Sequence, residues 1–124
     1  MQEYLKELSM IYIFSAFYAE AKNIIDHYGL KKEKSPEMVR FDVFTNESIR
    51  LVITGVGEIN AAAAVSNIGG AYGISPDDEI LNVGCGAGFS SDICLGSIFL
   101  GNKLTEQMTG RTFYPDMLMK ANFR

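Results

Sequence analysis

Ile11-Tyr12-Ile13-Phe14-Ser15-Ala16-Phe17-Tyr18-Ala19-Glu20-Ala21 changes its periodicity partway along. Residues 11–14 are an apolar run rich in β-branched and aromatic side chains, and Ser15 ends the run at once, so it reads as a buried strand. From Phe17 onward the apolar residues recur at helical spacing, through Ala21, Ile24, Ile25 and Tyr28, with Ser15 as a candidate N-cap and Gly29 as the stop. A strand, a tight turn and an amphipathic helix in immediate succession form the opening unit of an α/β chain.

The pattern continues outward from this unit. After the polar stretch Lys31 to Ser35 and Pro36, Val39, Phe41 and Val43 alternate with polar residues, Asn46-Glu47 interrupts, and Ile49-Arg50-Leu51-Val52-Ile53 resumes, which reads as a hairpin. Gly55-Val56-Gly57 then leads into a helix expected over 59–72, whose run from Ala61 to Ala64 is apolar on every side and predicts cover from other structure. Ile80-Leu81-Asn82-Val83 reads as another buried strand, ended by glycines at 84, 86 and 88, and Ile98-Phe99-Leu100 is a further apolar run. The expectation is a mixed, mainly parallel sheet flanked by helices, in a single α/β domain over residues 1–124 without internal repeats. Residues 1–10, with Tyr4, Leu5 and Leu8 close to helical spacing, read as a leader or an extra helix.

The chain has 124 residues, 48% hydrophobic and 21% charged, as an ordinary soluble globular domain does. Its net charge is −4, and Lys31, Lys32 and Lys34 form its one short basic cluster, which argues against a nucleic-acid partner because phosphate neutralisation needs a concentrated positive face. No stretch reaches the ~18 apolar residues of a membrane helix, and the first ten residues carry Glu3, Lys6 and Glu7 where a signal peptide needs an apolar run. A cytoplasmic protein without a membrane partner is expected. Cys85 and Cys94 lack the close pairing or histidine neighbours of a metal site and read as two reduced, buried thiols.

In open α/β sheets, ligands bind at the carboxyl ends of strands, where glycine lets the backbone approach them. Three segments fit that description: 15–20, 55–60 and 84–88. Glu20 falls in the first turn of its helix, where unpaired amides and the helix dipole favour a carboxylate. It reads either as a surface glutamate assisting the helix start or as a carboxylate aimed into a cleft to orient a water, as a general base would be. Gly55-Val56-Gly57 is similar to a dinucleotide fingerprint but has Asn60 at the third glycine position, so a close turn from strand to helix is the plainer use. Residues 80–88 resemble the first motif of S-adenosylmethionine-dependent methyltransferases, although Asn82 replaces the usual aspartate and residues 98–102 lack an acidic terminus.

Taken in order, these turns resemble those of the methylthioadenosine/S-adenosylhomocysteine nucleosidases and their relatives, the purine and uridine phosphorylases. Residues 15–21, Ser-Ala-Phe-Tyr-Ala-Glu-Ala, are similar to that family's Gly-Ala-Met-Glu-Glu-Glu-Val. Residues 54–62, Thr-Gly-Val-Gly-Glu-Ile-Asn-Ala-Ala, look like its Ser-Gly-Ile-Gly-Lys-Val-Asn-Ala-Ala. Residues 82–88, Asn-Val-Gly-Cys-Gly-Ala-Gly, look like its Asn-Thr-Gly-Ser-Ala-Gly-Gly, and residues 95–98, Leu-Gly-Ser-Ile, like its Val-Gly-Asp-Ile.

The resemblance covers the N-terminal half of the family's fold and implies an apparently truncated nucleosidase. It places Glu20 on the glutamate that holds the nucleophilic water, Phe17 on the methionine that packs against the ribose, and Cys85 on a hydroxyl residue beside that water. A thiol is the poorer hydrogen-bond donor of the two. Val83, Gly84, Gly86 and Ala87 would line the nucleoside pocket. The implied reaction is cleavage of an N-glycosidic bond, with the catalytic aspartate in a segment beyond Arg124 and with no cofactor or metal. Asn82 stands where the hexameric phosphorylases have a phosphate-binding arginine, which favours water as nucleophile. The implied partners are a purine nucleoside and a second copy or a complementing C-terminal half. In residues 109–116, Phe113 and Pro115 read either as part of a packed surface loop or as contributors to a neighbouring subunit's pocket. Two other readings stand beside the nucleosidase: a non-catalytic assembly or binding module, and the methyltransferase.

Overall fold

The computed structural model describes residues 9–115, so the expected leader or helix over 1–10 falls almost wholly outside the described residues. Contacts divide the chain into two compact units after Gly86. The first holds a five-stranded mixed sheet in the order β2-β3-β4-β1-β5, made of β1 (Ile11–Ser15), β2 (Lys31–Lys32), β3 (Asp42–Thr45), β4 (Ile49–Ile53) and β5 (Glu79–Asn82). Helix α1 (Tyr18–Tyr28) follows β1, and α2 (Glu58–Tyr72) follows β4.

Strand β1 is central. It pairs in parallel with β4 on one side, Ile11 opposite Ile49 through Ser15 opposite Ile53, and with β5 on the other, Ile11 opposite Glu79 through Phe14 opposite Asn82. The expected hairpin is the antiparallel pair β3-β4, whose turn is closed by Asn46 Oδ1 accepting from the amides of Ser48 and Ile49, each at 2.8 Å. β2 was not anticipated, because Lys31 and Lys32 have no strand-like side chains; its antiparallel pairing with β3 alone defines it.

Alternation along β1 assigns its side chains to the two faces of the sheet. Tyr12 and Phe14 join Val43 and Val52 beneath Ala64 and Ile68 of α2, while Ile13 joins Ile49, Leu51 and Leu30 beneath Ala21 and Ile25 of α1. The result is a helix, sheet and helix sandwich. Gly29 ends α1 in the left-handed conformation at φ 62°, as the sequence indicated. Ser15 does not cap α1: its backbone is committed to the pairing with Ile53, and Phe17 takes the N-cap position without a side-chain cap.

Two expectations of burial fail for one reason. α2 buries Ala64 and Ile68 against the sheet, but Ile59 is 83% exposed and residues 61–63 are exposed, because one helix on one sheet face can bury only the stripe that meets the sheet. β5 is an edge strand among the described residues, which leaves Ile80 45% exposed where a buried strand was expected.

Polar contacts secure the end of the sheet where β1 begins. Asp78 accepts from the Met10 amide through Oδ1 and from the Ser75 amide through Oδ2, both at 2.8 Å, tying the start of β1 to the turn before β5. Arg50 donates to the Tyr12 hydroxyl at 3.0 Å and lies over the Tyr72 ring, and Tyr72 donates to Glu33. Partial burial, then the hydrogen bond to Glu33, raise the Tyr72 hydroxyl above its usual 10.0.

The second unit, from Ala87, contains the short hairpin of β6 (Leu104–Thr105) and β7 (Thr112–Phe113). Glu106 organises its turn: its carbonyl accepts from the Gly110 amide and its carboxylate from the Thr109 hydroxyl. Phe113 and Pro115 are exposed here, and Asp116 lies outside the described residues. Ile98, Phe99 and Leu100 are exposed and form no regular element.

The core makes a direct prediction. Leu51 has no exposed surface, and Leu51→Ala should destabilise the fold by about 2–5 kcal/mol in urea unfolding followed by circular dichroism. Asp78 adds a pH dependence. Partial burial raises its carboxyl, but the amides of Ser75 and Met10 outweigh that and hold it below 3.8. Its contribution is therefore complete above the unfolded-state value and lost as pH falls through the depressed one. The stability gap between wild type and Asp78→Ala should narrow steadily as urea titrations are taken below about pH 4.

Candidate functional site

Because β1, β4 and β5 run parallel, their carboxyl ends open at one rim, and the three segments singled out in the sequence follow those ends: 15–20 after β1, 55–60 after β4 and 84–88 after β5. Backbone hydrogen bonds join the three exits within the first unit. The Thr54 amide donates to the Ser15 carbonyl at 2.8 Å, the Gly55 amide to Ala16 at 3.1 Å, and the Val83 amide to Phe14 at 3.0 Å.

Glu20 is in the first turn of α1, with its side chain turned toward the β5 exit. A Cβ added to Gly84 would lie 3.3 Å from Glu20 Oε2, closer than comfortable van der Waals contact, so the missing side chain at 84 makes room for the carboxylate. Oε2 is buried and has no hydrogen-bond partner. An ionised carboxylate oxygen accepts and cannot donate, so this atom can be satisfied only by a donor: a water, a hydroxyl or an N–H of a bound molecule. Glu20 is half-buried in the first turn of α1, as a glutamate assisting the helix start would be, while one of its oxygens faces Gly84.

The other predicted site residues divide. Val83 is partly buried against the α1-side core, next to Gly84. Phe17 is the N-cap of α1, three residues before Glu20, and is 50% exposed. Cys85 and Gly86 follow Gly84 and are exposed, and Ala87 opens the second unit. Both cysteines are free and exposed, which corrects the expectation of buried thiols: Cys85 follows the end of edge strand β5, and Cys94 lies in the second unit outside any regular element. Among the described residues, no group of three or more His, Cys, Asp or Glu side chains could hold a metal ion, and no helix is long and apolar enough to cross a membrane.

Thr54 and Asn60 were given no site role from the sequence, where Asn60 stood only as the residue in place of a third glycine. Thr54 Oγ1 donates to the Gly55 carbonyl and Asn60 Nδ2 to the Val56 carbonyl, each at 2.7 Å. The signal was present in principle, since Asn and Thr beside a glycine turn readily bond to local backbone. No protein-family model matches the chain, and no curated protein or solved structure does either.

The contact between residues 20 and 84 has a simple test. Gly84 shows no left-handed strain, so Gly84→Ala should leave the thermal midpoint within about 2 °C of wild type while displacing the Glu20 side chain, read as a shift of its carboxyl resonance in a ¹³C spectrum.

Proposed function

We propose that this chain provides the nucleoside-binding portion of a purine nucleosidase, acting on methylthioadenosine- or S-adenosylhomocysteine-like nucleosides. The observation that carries the reading is Glu20 Oε2, buried and unpartnered against Gly84 at the rim where β1, β4 and β5 end. The ordered resemblance of the three turns to those of the nucleosidases supports it from the sequence. In the proposed reaction the bond from the sugar carbon to the base nitrogen breaks as the base takes a proton at a ring nitrogen from the acid that a complementing half would supply. A water forms the new carbon–oxygen bond and gives its proton to Glu20. A positioned base of this kind contributes about 10²–10⁴ in rate. Phe17 would pack against the ribose, and the backbone from Val83 to Gly86 would border the nucleoside. Cys85 would offer only a weak donor beside the water. A cytoplasmic setting is part of the same proposal.

A second reading, a binding or assembly module without catalysis, is favoured by one specific observation: the outer side of α2 exposes Ile59 and Val65, and the helix has no charged residue after Glu58. Surfaces of that composition promote association.

Calorimetric titration of the full chain with methylthioadenosine separates the two. The nucleosidase reading expects saturable binding that weakens about tenfold in Glu20→Ala, equivalent to one charge-assisted hydrogen bond. With a complementing C-terminal half supplied, it also expects adenine release, followed by chromatography, that disappears in the same variant. A wild-type chain that binds no nucleoside yet self-associates in light scattering would replace it with the assembly module.

A further inference from the structure

The turn from β4 into α2 takes its shape from side chains. Gly55 and Gly57 have φ of 83° and 95°, in the region that only glycine enters easily, so the segment belongs to neither the sheet nor the helix. The Thr54 hydroxyl holds the Gly55 carbonyl at its start, and the Asn60 side-chain amide reaches back four residues to hold the Val56 carbonyl. Asn60 also occupies the space beside Gly55: a Cβ there would stand 3.2 Å from its Nδ2. Held in this way, the turn directs its amides at the neighbouring exit, Thr54 to the Ser15 carbonyl and Gly55 to the Ala16 carbonyl. Those two carbonyls belong to the segment that lifts the chain from β1 into α1, and Glu20 follows Ala16 by four residues. One line of hydrogen bonds and covalent chain therefore runs from the Asn60 amide through Val56, Gly55 and Ala16 to the first turn of α1.

We infer that Asn60 is a positioning residue for Glu20: by fixing the Gly55 turn it clamps Ala16, and it thereby sets where the Glu20 carboxylate lies against Gly84. The functional meaning of that role rests on the nucleosidase reading, but the positional effect exists without any ligand. A purely local role, as a brace for the start of α2, would alter stability and leave Glu20 where it is.

The full chain labelled with ¹³C at its glutamate carboxyls, with Glu20 identified by its loss in Glu20→Gln, distinguishes these. Asn60→Ala should move the Glu20 resonance while those of Glu33 and Glu79 stay in place. Asn60→Asp, whose carboxylate cannot donate to Val56, should move it as well. Asn60→Ser should return it toward the wild-type position, because a serine hydroxyl can donate to the carbonyl four residues back. A Glu20 resonance unmoved in folded Asn60→Ala or Asn60→Asp overturns the inference. With methylthioadenosine as probe, Asn60→Ala should weaken binding about threefold to tenfold, and should have no further effect in a Glu20→Gln background. An equal, additive loss in that background also overturns it. Absence of wild-type binding would sink the nucleosidase reading, while the carboxyl resonance still decides the role of Asn60.

Discussion

The rim depends on the register that holds β1 between β4 and β5. Five consecutive residue pairs on one side and four on the other fix where each strand ends, so that Ser15, Ile53 and Asn82 reach the same edge of the sheet. Parallel neighbours cannot be joined by a tight hairpin, and the chain must cross over between them. Each exit from these three strands is therefore a turn that rises over the same rim, and the first two continue directly into α1 and α2. A one-residue slip would exchange Tyr12 and Phe14 with Ile11 and Ile13 between the two cores and carry Glu20 away from Gly84.

Within that frame the two ends of the sheet are treated differently. Where β1 begins, Asp78 is satisfied by two amides, and Arg50 lies against Tyr12 and Tyr72, its Nε without a hydrogen-bond partner but its charge beside two rings. Those contacts brace the sandwich. Where β1 finishes, the backbone is well paired but one carboxylate oxygen is not. A buried acceptor left without a donor costs on the order of 1–3 kcal/mol. Such a cost, placed at the carboxyl ends of parallel strands and beside a glycine that makes way for it, is the arrangement expected of a site that a donor completes.

The apolar content of α2 and β5 shows how composition and burial part company. Residues 61–64 and 80–83 are as apolar as those of β1, yet β1 has neighbours on both edges and both faces, whereas α2 has the sheet on one side and β5 has β1 on one edge. Burial belongs to the neighbours as much as to the residue. Cys85 and Cys94, small apolar-like side chains, are likewise exposed.

The sequence by itself determined the order of β1, α1, the β3-β4 hairpin, α2 and β5, because periodicity and turn chemistry are local: the strand at 11–14, the helix stopped by Gly29, the hairpin turned at Asn46, and the glycine exits at 55 and 84 can each be read within a few residues. Through the resemblance it also assigned Glu20 and Gly84 to one expected pocket, without any contact between them. That the two meet was decided only by tertiary structure, since residues 64 positions apart become neighbours through the pairing of β1 with β5, a long-range choice that no local pattern encodes. The roles of Thr54 and Asn60 were hidden for the same reason. Their bonds to their own turn are local, but the consequence passes through Ser15 and Ala16, which only the β1-β4 register brings within reach.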